Sequence, residues 1–371
     1  MAFYHLHGVL AQLVRAPACH VGGRGFKSLT SRHLITRTSH AGFFFCAVTA
    51  YGLTIRGEAA LSAQRGEGPR DASRAGRVVA FDAQSWPPVA GPVPAMSLAA
   101  FRTKVEARGR DLYRDLPWRR TRDPYAIWVS EVMLQQTQVS RVDGRWQRWL
   151  ERFPTVEALA AAEQAEVLLE WQGMGYNRRA LALMRAAQAI CEQGEFPRKA
   201  RDLCRLPGIG PATAQGIRAF AFDLPGVYLE TNVRSVFLHE LFPEEVGVTD
   251  RCLEPLIAAA CPLADVRGWY YALLDYGAWL KRTVPNPSRR SRSHVRQTGF
   301  EGSHRQKRAA VVRLLLAARQ DGIDAATVAR ELSAMEERAG RESVGARDAR
   351  ALLNELTNEG FCHERNDRWY A

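Results

Sequence analysis

From Met96 onward, apolar residues recur at three- and four-residue spacings in segments broken by short Gly/Pro turns, and no convincing strand alternation appears before the C-terminus. The pattern predicts an all-α body. Its clearest stretch, DPYAIWVSEVMLQQTQV (Asp123 to Val139), has Asp at the cap and Pro in the first turn, and sets Ile127, Glu131, Leu134 and Gln135 on one face. Apolar-periodic segments also flank the LPGIGP turn of Leu206 to Pro211. Another helix starts within YLETNVRSVF, where Thr231 or Asn232 is an ordinary cap and Glu230 an ordinary first-turn charge. A helix over Trp269 to Leu280 is expected to pack on one around Phe101 to Tyr113. His304 to Arg319, Thr327 to Met335 and Ala346 to Glu359 read as three more helices, and FCHERNDRWYA follows as a terminal hairpin. The expected organisation is an N-terminal extension (1–95), a helical body (96–285), a basic linker (286–303) and a small winged-helix-like module (304–371), whose role is either DNA contact or packing.

Residues 1–95 lack helical or alternating periodicity and end in the Pro cluster WPPVAGPVPA. Two readings fit: a disordered basic tail, or translation assigned too far upstream with Met96 as the real start. The second rests on Gly25 to Ser28, whose codons can contain the GGTTCAAGTCC type of sequence found in transfer RNA genes, and on the likeness of LAQLVRAPACHVGGRGFKSLTSRH to mistranslated genes of that kind.

The formal charge of +12 favours a polyanionic partner, but its location limits that inference. Residues 1–95 carry ten Lys/Arg against four Asp/Glu and residues 281–313 carry ten against one, so the rest of the chain sums to about −3. The body is not broadly basic. Seven cysteines without CxxC or regular spacing argue against a disulfide framework or zinc ribbon. Ala41 to Ile55 is too short and broken to span a bilayer, so no membrane partner and a cytoplasmic location are expected.

Three segments could carry chemistry. A carboxylate on the apolar stripe of Asp123 to Val139 is costly unless paired or protonated, and a protonated acid near neutral pH suits general-acid catalysis. Periodicity alone favours reading Glu131 as a partly exposed stripe-edge residue. In LPGIGPATA, two glycines flank one apolar residue, which leaves backbone N–H groups open to hold a phosphate without reading sequence. Glu230 becomes interesting only opposite Glu131, since an acid and a carboxylate across a cleft can break a glycosidic bond through an oxocarbenium-like transition state.

These segments, together with LPWR, RFPTVEAL and GMGYNRRALAL, resemble the MutY-type adenine glycosylases of the helix-hairpin-helix superfamily over roughly residues 112–281. The resemblance implies two helical subdomains flanking a cleft, with Glu131 as the acid that protonates the base and Glu230 at the position of the superfamily's catalytic aspartate. It also implies pocket and DNA contacts at Trp118 and Arg119, wedge residues at Gln136 and Tyr176, and phosphate binding by Leu206, Gly208, Gly210 and Thr213, with a monovalent cation at the hairpin carbonyls. Leu134 and Tyr271 fall at the base pocket, Tyr271 where relatives usually place Glu or Gln. Ala212 stands where lyase-competent relatives carry a lysine nucleophile, so no Schiff base forms there. The four cysteines that bind a 4Fe-4S cluster in relatives are absent from Lys281 to Arg308, so no cluster is expected. Arg289, Arg290 and Arg292 occupy that stretch as phosphate contacts or as a solvated linker. The chain also has no room for the Nudix-like domain of its relatives.

The expected protein is a monomeric, monofunctional DNA N-glycosylase acting on double-stranded DNA at a mispaired base, most of all adenine opposite guanine or 8-oxoguanine, at the nucleoid. A uracil or thymine mismatch glycosylase and a non-catalytic DNA-binding relative are the alternatives.

Overall fold

The computed structural model describes residues 85–294 and 299–371, which belong to one compact unit. Readings made for residues 1–84 and for Arg296 lie outside the described residues. The body runs through α1 (Leu98–Leu112), α2 (Pro124–Leu134), α3 (Val139–Val142), α4 (Arg145–Arg152), α5 (Val156–Ala160) and α6 (Gln164–Glu170). It continues through α7 (Arg178–Gln193), α8 (Ala200–Leu203), α9 (Pro211–Phe222), α10 (Thr231–Leu241), α11 (Asp250–Ala260) and α12 (Val266–Thr283). At the end stand α13 (His304–Ala317), α14 (Ala325–Arg338), α15 (Ala346–Asn358) and an antiparallel hairpin of β1 (His363–Arg365) and β2 (Arg368–Tyr370). Its turn, Asn366-Asp367, places both residues at positive φ, the geometry that suits a two-residue hairpin loop. The protein is all-α apart from this hairpin among the described residues.

Two apolar cores divide the body. One gathers Trp128, Val129, Trp149, Trp171 and Ile217 and continues without a break into α13 to α15. The other gathers Phe101, Ile127, Phe220, Phe237, Trp269 and Tyr270. Helices α2 and α9 each contribute to both, so this pair forms the partition between them. On the second side α1 lies along α12, as the apolar spacing predicts; Gly109 meets Ala272 so closely that a side chain there would overlap it, and the Phe101 and Trp269 rings are 6.2 Å apart.

Three expectations change. Helix α2 ends at Leu134 rather than Val139, because Gln136 adopts φ 53° and leaves the helical path. The Pro-rich run before Met96 is not all detached: Trp86 packs edge-on to Phe101 at 5.6 Å and donates to the Met96 carbonyl at 2.7 Å, and Val89 covers the second core. An extended Pro segment can bury side chains without helical or alternating periodicity. The start of the linker is likewise part of the body. Pro287 and Ser288 are buried, and Val248 pairs with Ser291 in an isolated parallel bridge.

The C-terminal module docks on α7 through Glu359. Its carboxylate receives Arg178 and Arg308, the latter at 2.6 and 2.9 Å, while Arg185 donates to its carbonyl. The two guanidiniums hold the Glu359 carboxyl down at about 2.

Candidate active site

Asp123 caps α2 by accepting from the Tyr125 and Ala126 amides at 3.1 and 3.2 Å. Tyr125 through Ser130 are buried on every side, so α2 is a core helix, and Glu131 stands on it where the partition meets α9. Space there exists because the neighbouring α9 residue is Gly216: a Cβ would overlap the Glu131 Oε2 atom and lie 3.0 Å from the Tyr228 ring. Tyr228 donates its hydroxyl to Oε2 at 3.0 Å. Burial raises the Glu131 carboxyl to about 8, the Tyr228 hydrogen bond opposes that shift, and the nearby Glu230 charge adds to it. The protonated form therefore dominates at neutral pH.

Glu230 is itself the N-cap of α10, in place of the expected Thr231 or Asn232. Its Oε1 accepts from the Asn232 and Val233 amides at 2.6 and 2.9 Å, a geometry its longer side chain reaches from extended backbone. Burial raises this carboxyl too, but Lys281 and the two amides pull it back toward the ionised form. Lys281 is fixed in turn by Asn232 Oδ1 at 2.8 Å. Two neighbouring carboxyls thus have opposed surroundings: one apolar and proton-bearing, the other at a helix N-terminus beside an ammonium.

The hairpin between α8 and α9 buries Leu206 and Ile209 and leaves Pro207, Gly208 and Gly210 exposed. Gly208 has φ 76° and sits over Ala182, where a Cβ would approach to 2.6 Å; Gly210 caps α9. The turn offers backbone rather than side chains to solvent: the Leu206 side chain is core, and Thr213 is buried with its hydroxyl accepting from Gln135 Nε2 at 2.9 Å. Gln136 and Tyr176 are exposed loop residues, both at positive φ. Leu134 is half-buried against the first core.

Trp118 and Arg119 are interior residues. Trp118 is buried against Trp146, and Arg119 is locked to the buried Asp275 by hydrogen bonds of 2.7 and 2.8 Å. Tyr271 is buried between the Phe220 ring, parallel at 4.5 Å, and the Arg119 guanidinium at 4.3 Å from its centroid. Neither ring face is open to stack a base. Arg290 is no phosphate contact: it donates to the Leu238, Phe242, Pro243 and Glu245 carbonyls and closes the C-terminal end of α10. Arg289 and Arg292 are exposed.

The profile of the HhH-GPD superfamily base excision DNA repair proteins matches residues 129–266, a span that contains Glu131, the hairpin and Glu230. Residues 129–266 are thus similar to an HhH-GPD domain. The adenine DNA glycosylase of Mycolicibacterium smegmatis is 40% identical over 169 residues, 44% of this chain and 58% of its own. That of Homo sapiens is 42% identical over 150 residues, 38% of this chain and 28% of its own. The chain thus spans about half the length of the bacterial relatives it matches. An endonuclease III–DNA complex aligns with 51% of this chain and 90% of its own at 18% identity and a TM-score of 0.44. Tyr271, the arginines after α12 and the C-terminal module lie beyond the HhH-GPD match.

Sequence reading missed Tyr228, Gly216, Asp275 and Arg179. Tyr228 had a signal, since it stands two residues before Glu230 in an extended stretch and so projects to the same side. Among the described residues no group of three or more His, Cys, Asp or Glu converges as a metal site, and Cys191, Cys204, Cys252, Cys261 and Cys362 are scattered between surface and core. These donors do not fit a four-cysteine cluster. No described helix is long and apolar enough to cross a membrane.

Proposed function

We propose that this protein is a monofunctional DNA N-glycosylase that extrudes a mispaired base from duplex DNA and hydrolyses its glycosidic bond, with adenine opposite guanine or 8-oxoguanine as the favoured substrate at the nucleoid. The observation that carries the reading is the half-buried Glu131, hydrogen-bonded by Tyr228 and protonated near neutral pH beside a second carboxyl held at a helix N-terminus. Glu131 donates its proton to the leaving base, and Tyr228 holds Oε2 so that the other carboxyl oxygen presents the proton. Glu230, fixed by two amides, stabilises the positive charge that develops on the sugar. The exposed hairpin backbone grips a phosphate and, through its carbonyls, a monovalent cation. Ala212 at the start of α9 cannot form a Schiff base, so the product is an abasic site without a nick. We propose that the reaction runs without an iron–sulfur cluster, because Lys281 to Arg308 holds no cysteine to ligate one.

The similarity to adenine DNA glycosylases favours adenine. The sandwiched Tyr271 favours a second reading, a uracil or thymine mismatch specificity, because its hydroxyl edge is what it can offer a base. Single-turnover release of free base from a panel of mismatched duplexes separates the two. Glu131→Gln should abolish release, by about a thousandfold or more, with mismatch binding retained. Undiminished release by that variant would remove Glu131 from the role of acid.

A further inference from the structure

Arg179, the second residue of α7, gathers the irregular chain on both sides of the site. Its Nη1 donates to the Val132, Met133 and Gln135 carbonyls at 2.8, 3.2 and 2.6 Å. Its Nη2 donates to the Met174 and Gly175 carbonyls at 3.1 and 3.0 Å and to Thr137 Oγ1 at 3.3 Å. One planar group therefore holds two separate loops, 134–138 and 173–177. The first loop leaves α2 one turn past Glu131 and carries Gln136 at φ 53°; the second carries Tyr176 at φ 50°. Both tips are exposed non-glycine residues in the left-handed region, a conformation that persists only where the surroundings impose it.

Stability alone is a poor reason for this arrangement. The guanidinium is half-buried, burial lowers its pKa to about 10, and no carboxylate pairs with it among the described residues. Its acceptors are carbonyls at the end of α2 and in the second loop, groups that carry partial negative charge; those of Val132, Gln135 and Gly175 each accept one further hydrogen bond, from the Gln135 amide, the Thr137 hydroxyl and the Trp171 indole. Gln135 extends the knot to the hairpin through Thr213, and Arg179 shares with Gly208 a cavity of about 220 Å³. The two tips and the phosphate-gripping turn thus lie on connected backbone. Lysine could not replace Arg179, since one ammonium lacks the fork that reaches both loops.

We infer that Arg179 is a positioning residue that locks Gln136 and Tyr176 into one two-pronged wedge, which opens the duplex beside the extruded base. The inference rests on the glycosylase reading, because the wedge has a purpose only if a base leaves the stack. Arg179 acts through the tips and touches no substrate.

The test is Arg179→Lys in the full chain, read by three measurements: the melting temperature, the brightening of a fluorescent adenine analogue at the target position on binding, and single-turnover base release. Release is compared between a mismatched duplex and a substrate whose target base is already unstacked in a single-stranded gap. The variant should lose roughly thirtyfold or more on the duplex together with the brightening, and less than about threefold on the gap. Equal losses on both substrates, or none on either, would overturn the inference. Should the variant fail to fold, Gln136→Ala and Tyr176→Ala supply the decision in the protein that keeps Arg179. A rigid pair predicts that the double substitution costs hardly more than either single one, whereas independent additive losses would overturn it. No release from any substrate by the unsubstituted protein would defeat the glycosylase reading alone, since brightening and its additivity still report on the wedge.

Discussion

Glu131 costs the fold stability in a pH-dependent way that can be measured. Its carboxyl is raised from 4.5 to about 8, so the folded state binds a proton more tightly than the unfolded chain between those values. Stability attributable to this group is present below pH 4.5 and is lost as pH rises through 8. Glu131→Gln removes the titration, and its melting temperature should exceed that of the parent by a margin that grows from pH 5 to pH 8, with a limiting slope of ~1.4 kcal/mol per pH unit. A constant margin would show that Glu131 does not titrate in this range. Gly216 offers a complementary probe with effects of opposite sign. Alanine favours a helix interior over glycine by about 1 kcal/mol, yet its Cβ displaces the Glu131 carboxyl and crowds the Tyr228 ring. Gly216→Ala should hold or raise the melting temperature while base release falls tenfold or more, on the order seen when a proton donor is misplaced; unaltered release would mean that the carboxyl has room to spare. Both acids could be picked out in the sequence, Glu131 because a carboxylate on an apolar helix face is conspicuous and Glu230 through the family resemblance. The glycine that accommodates one and the tyrosine that orients it were not, since their meaning depends on α9 and the 223–230 stretch meeting α2.

The helices themselves follow from apolar spacing and caps, and the structure departs from that reading mainly where a side chain from elsewhere ends a helix. Arg179 takes the last carbonyls of α2, and Arg290 takes those of α10. Neither is visible locally, as a carbonyl's distant partner leaves no periodic trace. RRSR reads on composition as a phosphate-binding run, but only some of it faces outward. The arginines should therefore separate by experiment. Arg290→Ala should lower stability by about 2 kcal/mol and leave the salt dependence of DNA binding as it was, because it strips four carbonyls of one charged donor. Arg292→Ala should leave the melting temperature within a degree or so and reduce the salt slope by about one. If both lowered the slope equally, Arg290 would have to leave α10 when DNA binds.

The two-core architecture was legible as an all-α body, but its limits were not, because composition marks the Pro-rich run before Met96 and the chain after α12 as dispensable. Trp86 and Val89 nevertheless cover the second core, and residues 287–291 tie back to Val248. A chain shortened to begin at Met96 should lose about 1–3 kcal/mol, seen as a melting temperature lower by several degrees. Trp86→Ala should reproduce most of that loss, and melts unchanged in both would show that the ring contributes nothing. The partition formed by α2 and α9 has a wider consequence. Because both helices belong to both cores, the halves cannot part without admitting water to Glu131. At a pKa of about 8 roughly nine in ten of these carboxyls hold a proton at pH 7, whereas at the solvated 4.5 only a few per thousand do. Under the proposed function, a loosened copy keeps its hairpin for phosphate but has no proton to give. On that proposal the fold is fail-safe: sound bases are spared during opening motions by the same packing that raises the Glu131 carboxyl.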